Sequence, residues 1–402
     1  MKRRVLTLVT AAIFELYLGT VYVWSVFHEP VVDFYRWTHA ASSVMFSIML
    51  PMNVGGTIAG GFICDRKGPR FVIHLGSALI VGGLLLSGLV PPSAPHLLYL
   101  TYAGMVGFGC GSCYNALTSI VQKWWADRKG FASGIFCCSV GLSTVVFAPL
   151  ISALIAGIGV RNTFFALAAI FLCLLAMVYP FTVYPTDDYV RARKAEAKYA
   201  FNGAELSPGE MLRHKRCYKI LLFNLCITPA YLMINPMIVS YGVSKGLSEQ
   251  MALACVMVTG IASAAGRLTL CWLADRVRAE KILFALYAAT VAAEALMLDS
   301  GGALYMLLIA VISFGYGGSA GLMPVMVGNA FGMKHLSANI SVMMVSVLLG
   351  GMIYPSLGGM VSVNGLPGVL SCAIPAAIGI AGMVFMLATG EVFSGRSHHE
   401  RS

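Results

Sequence analysis

Apolar residues fill this 402-residue chain in long runs that short polar segments separate. Each run is close to the ~20 residues that a helix needs to cross the hydrocarbon core of a bilayer. The pattern therefore predicts twelve membrane-spanning helices. The predicted spans cover residues 5–27, 40–62, 70–90, 97–121, 132–157, 162–183, 217–240, 250–273, 280–298, 303–328, 338–361 and 367–391.

The composition indicates a chain that is solvated mainly by lipid. Hydrophobic residues make up 58% of the sequence and charged residues only 11%, whereas a soluble domain has roughly 25% charged residues. The basic letters "MKRR" precede the first span. That span is too long for a signal peptide, however, and no small-residue cleavage site follows it, so we interpret it as the first spanning helix.

The net charge of +10 is distributed unevenly across the predicted membrane. If the N-terminus is cytoplasmic, 23 of the 27 lysine and arginine residues lie on the cytoplasmic side. Only Arg36, Arg161 and Lys245 lie on the opposite side, and Arg267 falls inside the eighth span. This distribution follows the positive-inside rule, so we expect a multi-pass protein of the plasma (inner) membrane with both termini in the cytoplasm. The same distribution argues against nucleic acid as a partner.

The two halves of the chain repeat one plan. The letters "FGCGS" at 108–112 recur as "FGYGG" at 314–318, and Pro149 and Pro355 stand at the same offset of 206 residues. Such a repeat predicts a duplicated six-helix unit. The predicted organisation is an N-terminal six-helix bundle (1–183), a cytoplasmic linker (184–216), a C-terminal six-helix bundle (217–393) and a cytoplasmic tail (394–402).

The linker ends in a capping box. Ser207 is the predicted N-cap, Pro208 the first helical residue and Glu210 the third. This arrangement satisfies the free N–H groups at a helix start, so it predicts a short surface helix before the seventh span.

The motifs of the chain resemble those of the major facilitator superfamily. "GGFICDRKGPR" (60–70) is similar to the signature loop between the second and third helices of these transporters, and "CWLADRVRAEK" (271–281) resembles its second copy. The resemblance implies an all-α membrane fold with twelve helices in two pseudo-symmetric bundles. It also implies a conformational gate, in which an aspartate meets the N-terminal dipole of a neighbouring helix. The implied gate residues are Asp65, Arg66, Gly68, Arg70, Asp275 and Arg276.

Within the superfamily, the sequence is similar to the oxalate/formate antiporters and the monocarboxylate transporters. In that group, the resemblance implies, an arginine of the eighth helix binds the carboxylate of the substrate, and Arg267 stands at that position. The segments that carry the likeness are "GTVYVWSVF" (19–27), "GCGSCYNA" (109–116), "KWWADRKGFASG" (123–134), "GRLTLCWLADR" (266–276) and "FGYGGSAGLMP" (314–324).

The chemistry of Arg267 agrees with this role. A charged arginine at the centre of a membrane helix costs at least ~2.5–3.5 kcal/mol, so it needs a polar cavity or a counter-ion. Its planar guanidinium fork matches the two oxygens of a carboxylate. The alternative is a fixed salt bridge, for which only Glu15 and Glu294 qualify. We expect Glu294 to extend toward the outer membrane surface instead.

Further residues of the substrate site are implied by the resemblance. Tyr22 and Tyr114 match positions that face the cavity, and Tyr316 stands at the repeated position. A phenol can donate a hydrogen bond to a carboxylate, although membrane tyrosines also serve as interfacial anchors. Ser43, Val140 and Val347 complete the predicted site.

Two of these positions differ from the oxalate transporters. Val347 stands where those proteins carry a second cation, and Val140 stands where they carry an aromatic residue. A second negative charge on the substrate would then remain unpaired, which is costly in a low dielectric. A monocarboxylate with a short alkyl group therefore fits better than oxalate.

Glu15 is the candidate for proton coupling. It shares a helical face with Gly19, Tyr22 and Val26 if the first helix is continuous. A desolvated carboxyl could carry a proton with the substrate. Equally, Glu15 could be a packed, permanently protonated residue without a transport role, and the sequence leaves both interpretations open.

The sequence therefore predicts a secondary transporter that moves a lactate- or pyruvate-like monocarboxylate by alternating access, with proton coupling. The alternatives are an oxalate/formate-type organic anion exchanger, a drug exporter and a non-transporting carboxylate sensor. No Walker loop, serine-elbow motif or cluster of metal ligands occurs in the sequence, so ATP drive, enzyme activity and a cofactor are not expected. The eleven cysteines lie mostly in apolar spans and are interpreted as packing residues. The expected partners are the monocarboxylate anion, a proton and the lipid bilayer, and a monomer is expected to suffice.

Overall fold

The computed structural model describes residues 2–196, 205–235, 238–277, 279–363 and 367–389. Helices dominate these ranges, and no β-strand occurs within them. The helices are α1 (Lys2–Leu18), α2 (Trp24–Tyr35), α3 (His39–Lys67), α4 (Pro69–Leu89), α5 (Gly107–Trp124), α6 (Lys129–Val178), α7 (Asp187–Ala195), α8 (Pro208–Met211), α9 (Lys215–Ile227), α10 (Pro229–Leu232), α11 (Ile238–Ser244), α12 (Glu249–Ala274), α13 (Ala279–Met297), α14 (Gly302–Phe331), α15 (Leu336–Val363) and α16 (Pro367–Thr389).

The first span is a broken helix that is longer than predicted. A 3₁₀ turn, Gly19–Val23, joins α1 to α2, and the helical run ends at Tyr35 instead of residue 27. Pro30 lies inside α2, where it removes one N–H donor without ending the helix. A Cβ atom added to Gly19 would lie 2.5 Å from the Cβ of Ser143, so the glycine permits the turn to pack directly against α6.

The fifth and sixth predicted spans form one kinked run. α6 contains 50 residues, but Gly159 within it has φ 79° and ψ 165°, a backbone conformation that interrupts the helix. Only glycine adopts positive φ of this kind without strain. The kink lies in the predicted gap between residues 157 and 162, so the division between these two spans is confirmed.

Seven helical runs within the described residues are long and apolar enough to cross a membrane. One of them, Lys129–Phe181, has 53 residues and contains two predicted spans. The seventh predicted span is divided into α9, α10 and α11. α10 begins at Pro229, which lacks the backbone N–H that would extend the hydrogen bonds of the preceding helix. The seven runs are Lys2–Tyr35, Ser47–Lys67, Pro69–Leu89, Lys129–Phe181, Glu249–Ala274, Gly302–Phe331 and Leu336–Tyr354.

Contacts divide the chain into two compact units, and each unit gains the start of a helix from the other half of the sequence. The start of α6 belongs to unit 2, and the start of α15 belongs to unit 1. Unit 1 consists of Met1–Ala126, Ser139–Ala192 and Leu336–Met344, and unit 2 consists of Asp127–Cys138, Arg193–His335 and Val345–Ser402.

Aromatic side chains fill the core of each unit. In unit 1, the rings of Phe27 and Phe164 are stacked with centroids 5.1 Å apart, and Trp24 packs beside Phe27. In unit 2, Tyr241 and Tyr305 meet edge to face at 5.6 Å. Such pairs favour offset or edge contacts because the ring faces are negative and the edges positive.

The predicted capping box is present in the linker. Glu210 Oε2 accepts hydrogen bonds from the backbone N–H of Ser207 at 2.8 Å and from its hydroxyl at 2.7 Å. Hydrogen bonds from Ser207 lower the pKa of Glu210. The short helix α8 begins at Pro208, so the predicted surface helix is confirmed.

A second linker carboxylate, Glu205, holds the linker against the turn between α14 and α15. Its Oε2 atom accepts the backbone N–H groups of Met333 at 2.5 Å and Lys334 at 2.9 Å, while Lys194 Nζ donates to Oε1 at 2.9 Å. Burial alone would raise the pKa of Glu205, but these hydrogen bonds outweigh it and the pKa is lowered. A Cβ added to Gly332, which has φ 90°, would lie 2.1 Å from Glu205 Oε2, so only glycine leaves room for this contact.

Candidate functional site

Glycines bring α12 and α14 close together around Arg267. A Cβ atom added to Gly266 would lie 2.0 Å from the carbonyl oxygen of Phe314, and one added to Gly317 would lie 2.1 Å from the carbonyl oxygen of Ser263. The two backbones are therefore in direct contact at positions where any side chain would separate them. This packing places the "FGYGGSAG" segment of α14 beside the arginine.

Arg267 is half-buried and carries its charge without an acidic partner among the described side chains. Its Nη1 atom donates to the hydroxyl of Ser263 at 2.8 Å, four residues earlier on the same face of α12. Ser263 itself is buried. One hydroxyl orients one edge of the guanidinium, and a neutral hydroxyl does not neutralise the cation.

Two stacked tyrosines stand beside the arginine. The ring of Tyr316 in α14 lies 4.5 Å from the ring of Tyr231 in α10, at an interplanar angle of 20°. Tyr231 also lies near the hydroxyl of Thr259, and both phenols lie within electrostatic range of Arg267. Unit 2 therefore combines one cation, two phenols and two hydroxyl groups, which is a donor-rich setting for a small anion.

Sequence reasoning missed Tyr231, Ser263 and Thr259. Ser263 could have been found, because the i−4 position of a helix lies next to the arginine. Tyr231 carries no such signal, because it lies in a different helix from Arg267 and reaches the site only through packing. Of the predicted residues in unit 2, Tyr316 joins this cluster, whereas Val347 lies half-buried in α15.

Glu294 differs from the prediction. It was expected to extend toward the outer surface, but it is 1% exposed, and neither carboxyl oxygen has a hydrogen-bond partner. The helix that carries it, α13, packs against α14 and α16. It forms no ion pair with Arg267, so the alternative of a fixed salt bridge to this acid is wrong.

The predicted site residues of unit 1 differ widely in exposure. Glu15 in α1 is 2% exposed and lies near the thiols of Cys110 and Cys113 in α5. Tyr22 is 46% exposed, and Tyr114 in α5 is half-buried. These residues belong to unit 1, whereas Arg267 and Tyr316 belong to unit 2.

The shared face predicted for the first helix assumed an unbroken α-helix, and this assumption is wrong. The 3₁₀ turn at Gly19–Val23 advances by about 120° per residue instead of 100°. The difference adds up to roughly 80° over the four residues from Gly19 to Tyr22 and to roughly 100° over all five, so Tyr22 and Val26 are rotated away from the face of Glu15. The spacing of these residues along the chain therefore does not place them on one helical face.

Two further predicted residues lie in unit 1. Val140 in α6 is half-buried, and its carbonyl oxygen is 3.3 Å from the Cβ position of Gly19. Ser43 lies in α3, and its side chain is outside the described residues.

Asp275, the aspartate of the second predicted gate loop, caps a helix. Asp275 Oδ1 accepts the backbone N–H of Gly130 at 2.8 Å, and Oδ2 accepts that of Phe131 at 2.7 Å. These N–H groups belong to the first turn of α6, which has no intrahelical acceptors for them. Burial raises the pKa of Asp275 in spite of the two hydrogen bonds, which lower it. Arg276 lies over the ring of Trp272 at 3.9 Å.

The aspartate of the first predicted gate loop caps the start of α15 in the same way. Asp65 Oδ2 accepts the backbone N–H of Ala338, in the first turn of that helix, at 3.2 Å. Gly68 separates α3 from α4 with φ 83°, which favours glycine. Arg70 lies over the ring of Tyr179 at 5.4 Å, and Arg66 is exposed.

A buried polar network that the sequence did not indicate accompanies this contact. Asn115 of α5, which is fully buried, donates to the carbonyl oxygen of Thr57 at 2.9 Å and to the hydroxyl of Ser341 at 3.1 Å. The hydroxyls of Ser119 and Ser337 are also hydrogen-bonded to each other. Together these contacts hold the start of α15 against α3 and α5 within unit 1.

The known proteins that resemble this chain in sequence or in structure, given below, are transporters. The sequence profile described as "Major Facilitator Superfamily" matches residues 8–307. The oxalate:formate antiporter of Oxalobacter formigenes is 24% identical over 349 residues, which cover 86% of this chain and 82% of that protein. Monocarboxylate transporter 12 of Xenopus laevis is 25% identical over 346 residues, 80% of this chain and 73% of that protein. The proton:xylose symporter XylE has a similar structure, with a TM-score of 0.72 at 14% identity, over 99% of this chain and 98% of that one.

Proposed function

The chain belongs to the Major Facilitator Superfamily, and from this premise we propose that it moves a small monocarboxylate across the membrane by alternating access. Proteins of this superfamily are transporters, and the chain is accordingly an integral, multi-pass membrane protein with the superfamily fold of twelve helices in two bundles. The identity of the substrate and its coupling to protons are the parts that we propose.

The observation that carries the proposal is the unpaired charge of Arg267. Among the described side chains its guanidinium meets the Ser263 hydroxyl and no carboxylate. An arginine inside a membrane protein is costly unless a counter-ion compensates it. A bound carboxylate supplies that compensation through two parallel N–H···O bonds. The nearby phenols of Tyr231 and Tyr316 add donors for the same anion.

A substrate with a single carboxylate fits the charges at the site. Val347 is apolar at the position where the oxalate transporters carry a second cation, so a dianion would bring one uncompensated charge. At the position where the oxalate transporters carry an aromatic residue, the sequence has the aliphatic Val140, which suits a short alkyl group. The names of two relatives, an oxalate:formate antiporter and a monocarboxylate transporter, place small carboxylates among the substrates of similar proteins.

Proton coupling is assigned to Glu15, the buried acid of unit 1. A carboxyl that is shielded from water favours its neutral form and can exchange a proton when the cavity opens. Exchange of one anion for another, without a proton, is the alternative. From the distribution of its lysines and arginines we propose that the protein lies in the plasma (inner) membrane with both termini in the cytoplasm. We further propose that a monomer is the functional unit.

Counterflow in proteoliposomes tests the proposal. Labelled L-lactate, pyruvate, formate and oxalate are offered to the wild-type chain, Arg267→Ala, Arg267→Lys and the exposed control Arg213→Ala. Loss of two charge-assisted hydrogen bonds, about 1.5–3 kcal/mol each, should weaken monocarboxylate binding at least 100-fold in Arg267→Ala. Arg267→Lys keeps the charge but not the fork, so it should retain part of the uptake, and Arg213→Ala all of it.

Other outcomes would contradict the proposal in distinct ways. Flux of oxalate alone would show that Val347 was misinterpreted. Monocarboxylate flux that persists in Arg267→Ala would remove the arginine from the site. Binding without flux would favour a carboxylate sensor, and an absence of both would favour an exporter of apolar compounds.

A further inference from the structure

The start of α6, which belongs to unit 2, packs directly against α12. A Cβ atom added to Gly130 would overlap the carbonyl oxygen of Cys271, and one added to Gly134 would lie 3.1 Å from the carbonyl oxygen of Arg267. One turn forward along α6 therefore corresponds to one turn back along α12, so the two helices run antiparallel here. Cys138 follows Gly134 by one turn on the same side of α6.

The guanidinium of Arg267 extends toward the level of Cys138. Because Gly134 meets the backbone of Arg267, one further turn of α6 places Cys138 opposite the position four residues earlier in α12, which is Ser263. Arg267 Nη1 reaches this same level, since it donates to the Ser263 hydroxyl at 2.8 Å. The thiol of Cys138 accordingly lies within electrostatic range of Arg267. The thiol and the guanidinium are therefore neighbours within unit 2.

Cys138 differs in exposure from most of the cysteines. Among the cysteines that the structure describes, only Cys138, Cys173 and Cys226 are not buried. Cys173 is exposed on the part of α6 that belongs to unit 1, and Cys226 of α9 lies beside Gly382 of α16. The role of a packing residue, which the sequence suggested for the cysteines, therefore does not account for the half-buried thiol beside Arg267.

The other described groups near the guanidinium are large or enclosed. The rings of Tyr231 and Tyr316 are stacked 4.5 Å apart, so each ring restricts the other. Cys271, a second thiol near Arg267, is fully buried. The group attached to a bound carboxylate lies close to the oxygens that the arginine holds, so it meets the same walls. Among these walls Cys138 is the small, half-buried side chain, and its size determines the room that remains.

We propose that Cys138 lines the anion site beside Arg267 and limits the size of the group attached to the carboxylate of the substrate. This inference rests on the proposed function, in which Arg267 binds that carboxylate. A neutral thiol does not compensate the charge of the guanidinium, which is left to the substrate. A larger side chain at this position fills the space next to the carboxylate, and an anion attached to the thiol occupies the guanidinium itself.

Thiol labelling of the full chain in detergent tests the location of Cys138. Anionic sulfonatoethyl methanethiolsulfonate is compared with cationic trimethylammonioethyl methanethiolsulfonate, and each rate is divided by that of the same reagent with a free thiol in solution. The sulfur of Cys138 forms a disulfide with the sulfenyl sulfur of the reagent, methanesulfinate leaves, and the thiol proton passes to water. Arg267 attracts the anion and repels the cation, so the anionic-to-cationic rate ratio should fall about tenfold in Arg267→Ala.

Two controls accompany the labelling. Mass spectrometry of the labelled peptides identifies the cysteine, and Cys138→Ser separates its signal from that of the buried neighbour Cys137. Cys173 lies outside the cluster around Arg267, so its rate ratio should not change in Arg267→Ala. Pyruvate at ten times its half-saturating concentration should slow the labelling of Cys138 about tenfold, because it occupies the site, and should leave Cys173 unaffected.

Counterflow in proteoliposomes tests the limit on size. Formate carries only a hydrogen atom on its carboxylate, whereas pyruvate carries a larger group. Cys138→Ile should therefore lower the uptake of pyruvate relative to formate by about tenfold or more, as is typical of a misfit of one methylene in a pocket. Cys138→Ala leaves more space and should raise the uptake of α-ketobutyrate relative to pyruvate.

Cys173→Ile is the matched control for the size test. It makes the same change of side chain at an exposed position and should leave both uptake ratios unchanged. Each readout is a ratio within one variant, so a lower yield of folded protein does not alter it.

The proposal is overturned if the rate ratio at Cys138 is the same in Arg267→Ala as in the wild-type chain, or if Cys138→Ile transports pyruvate and formate in the wild-type ratio. Labelling does not require transport. An absence of monocarboxylate flux, with labelling of Cys138 that still depends on Arg267, would reject the proposed substrate and support the place of Cys138 beside the cation. Normal flux with labelling that pyruvate does not slow would reject the role of Cys138 alone.

Discussion

Substitution of Asp275 by asparagine measures how strongly one carboxylate holds the start of α6. In the structure, its two oxygens accept the N–H groups of Gly130 and Phe131 at 2.8 and 2.7 Å. A hydrogen bond to a charged group contributes about 1.5–3 kcal/mol, and a neutral one about 0.5–1.5 kcal/mol. Asparagine keeps one uncharged acceptor and turns an N–H donor toward the second amide, so the contact should lose about 2–4 kcal/mol.

Hydrogen exchange followed by mass spectrometry reports this contact directly. The amides of Gly130 and Phe131 belong to the first helical turn and have no acceptor within α6, so their protection depends on the aspartate. A loss of 2–4 kcal/mol corresponds to exchange that is roughly 30- to 1,000-fold faster in the peptide that contains them.

The matched control is Asp299→Asn, which makes the same change of charge at an exposed position between α13 and α14. It should leave the exchange of Gly130 and Phe131 unchanged. Wild-type protection of these amides in Asp275→Asn would refute the reasoning, since the carboxylate would then not be what holds the turn. Equal acceleration in both variants would attribute the effect to net charge instead.

Three further predictions follow from single contacts. Glu205→Gln should destabilise the attachment of the linker by about 0.5–1 kcal/mol after solvent screening, measured as faster proteolysis. Since folding lowers the pKa of Glu205, this stabilisation should be complete above the ordinary pKa of 4.5 and should be lost as the pH falls through the lowered pKa. Glu294→Met should increase the free energy of unfolding by about 1–3 kcal/mol, measured as a higher thermal unfolding midpoint, because it removes two buried oxygens that have no hydrogen-bond partner. A lower midpoint than that of Glu294→Gln would contradict this. Tyr231→Ala should raise the KM for monocarboxylate uptake about two- to tenfold through loss of the stack on Tyr316, whereas Tyr231→Phe, which keeps the ring, should change it less; equal KM values in both variants would exclude the stack.

Local features of the fold could be predicted from the sequence. Hydropathy along the chain identifies the spans because each residue meets lipid or protein according to its own side chain. The gap between the predicted spans 132–157 and 162–183, in which the helix breaks at Gly159, and the capping box at Ser207 depend on residues that are adjacent in sequence, and both were predicted correctly. The twelve-helix fold likewise agrees with the superfamily that the comparisons identify.

Predictions that extended a regular geometry were less successful. The prediction that Glu15 and Tyr22 share one helical face was wrong because no feature of the sequence predicts the 3₁₀ turn between them. That turn packs on Ser143 of α6, more than a hundred residues away, and the absence of a side chain at Gly19 makes the contact possible. Glu294 was misplaced for a similar reason, since its burial depends on how α13 packs against other helices.

The sequence by itself determined which segments are helical, where the fixed charge of Arg267 stands and which motifs surround it. Only the tertiary structure decided that Tyr231 stacks on Tyr316 beside that charge, and that Asp275 caps the start of α6. The physical reason is distance along the chain. Hydropathy, helix breaking and capping by a flanking residue depend on near neighbours in the sequence. Ring stacking, burial and capping by a residue of another helix depend on residues that only packing brings together.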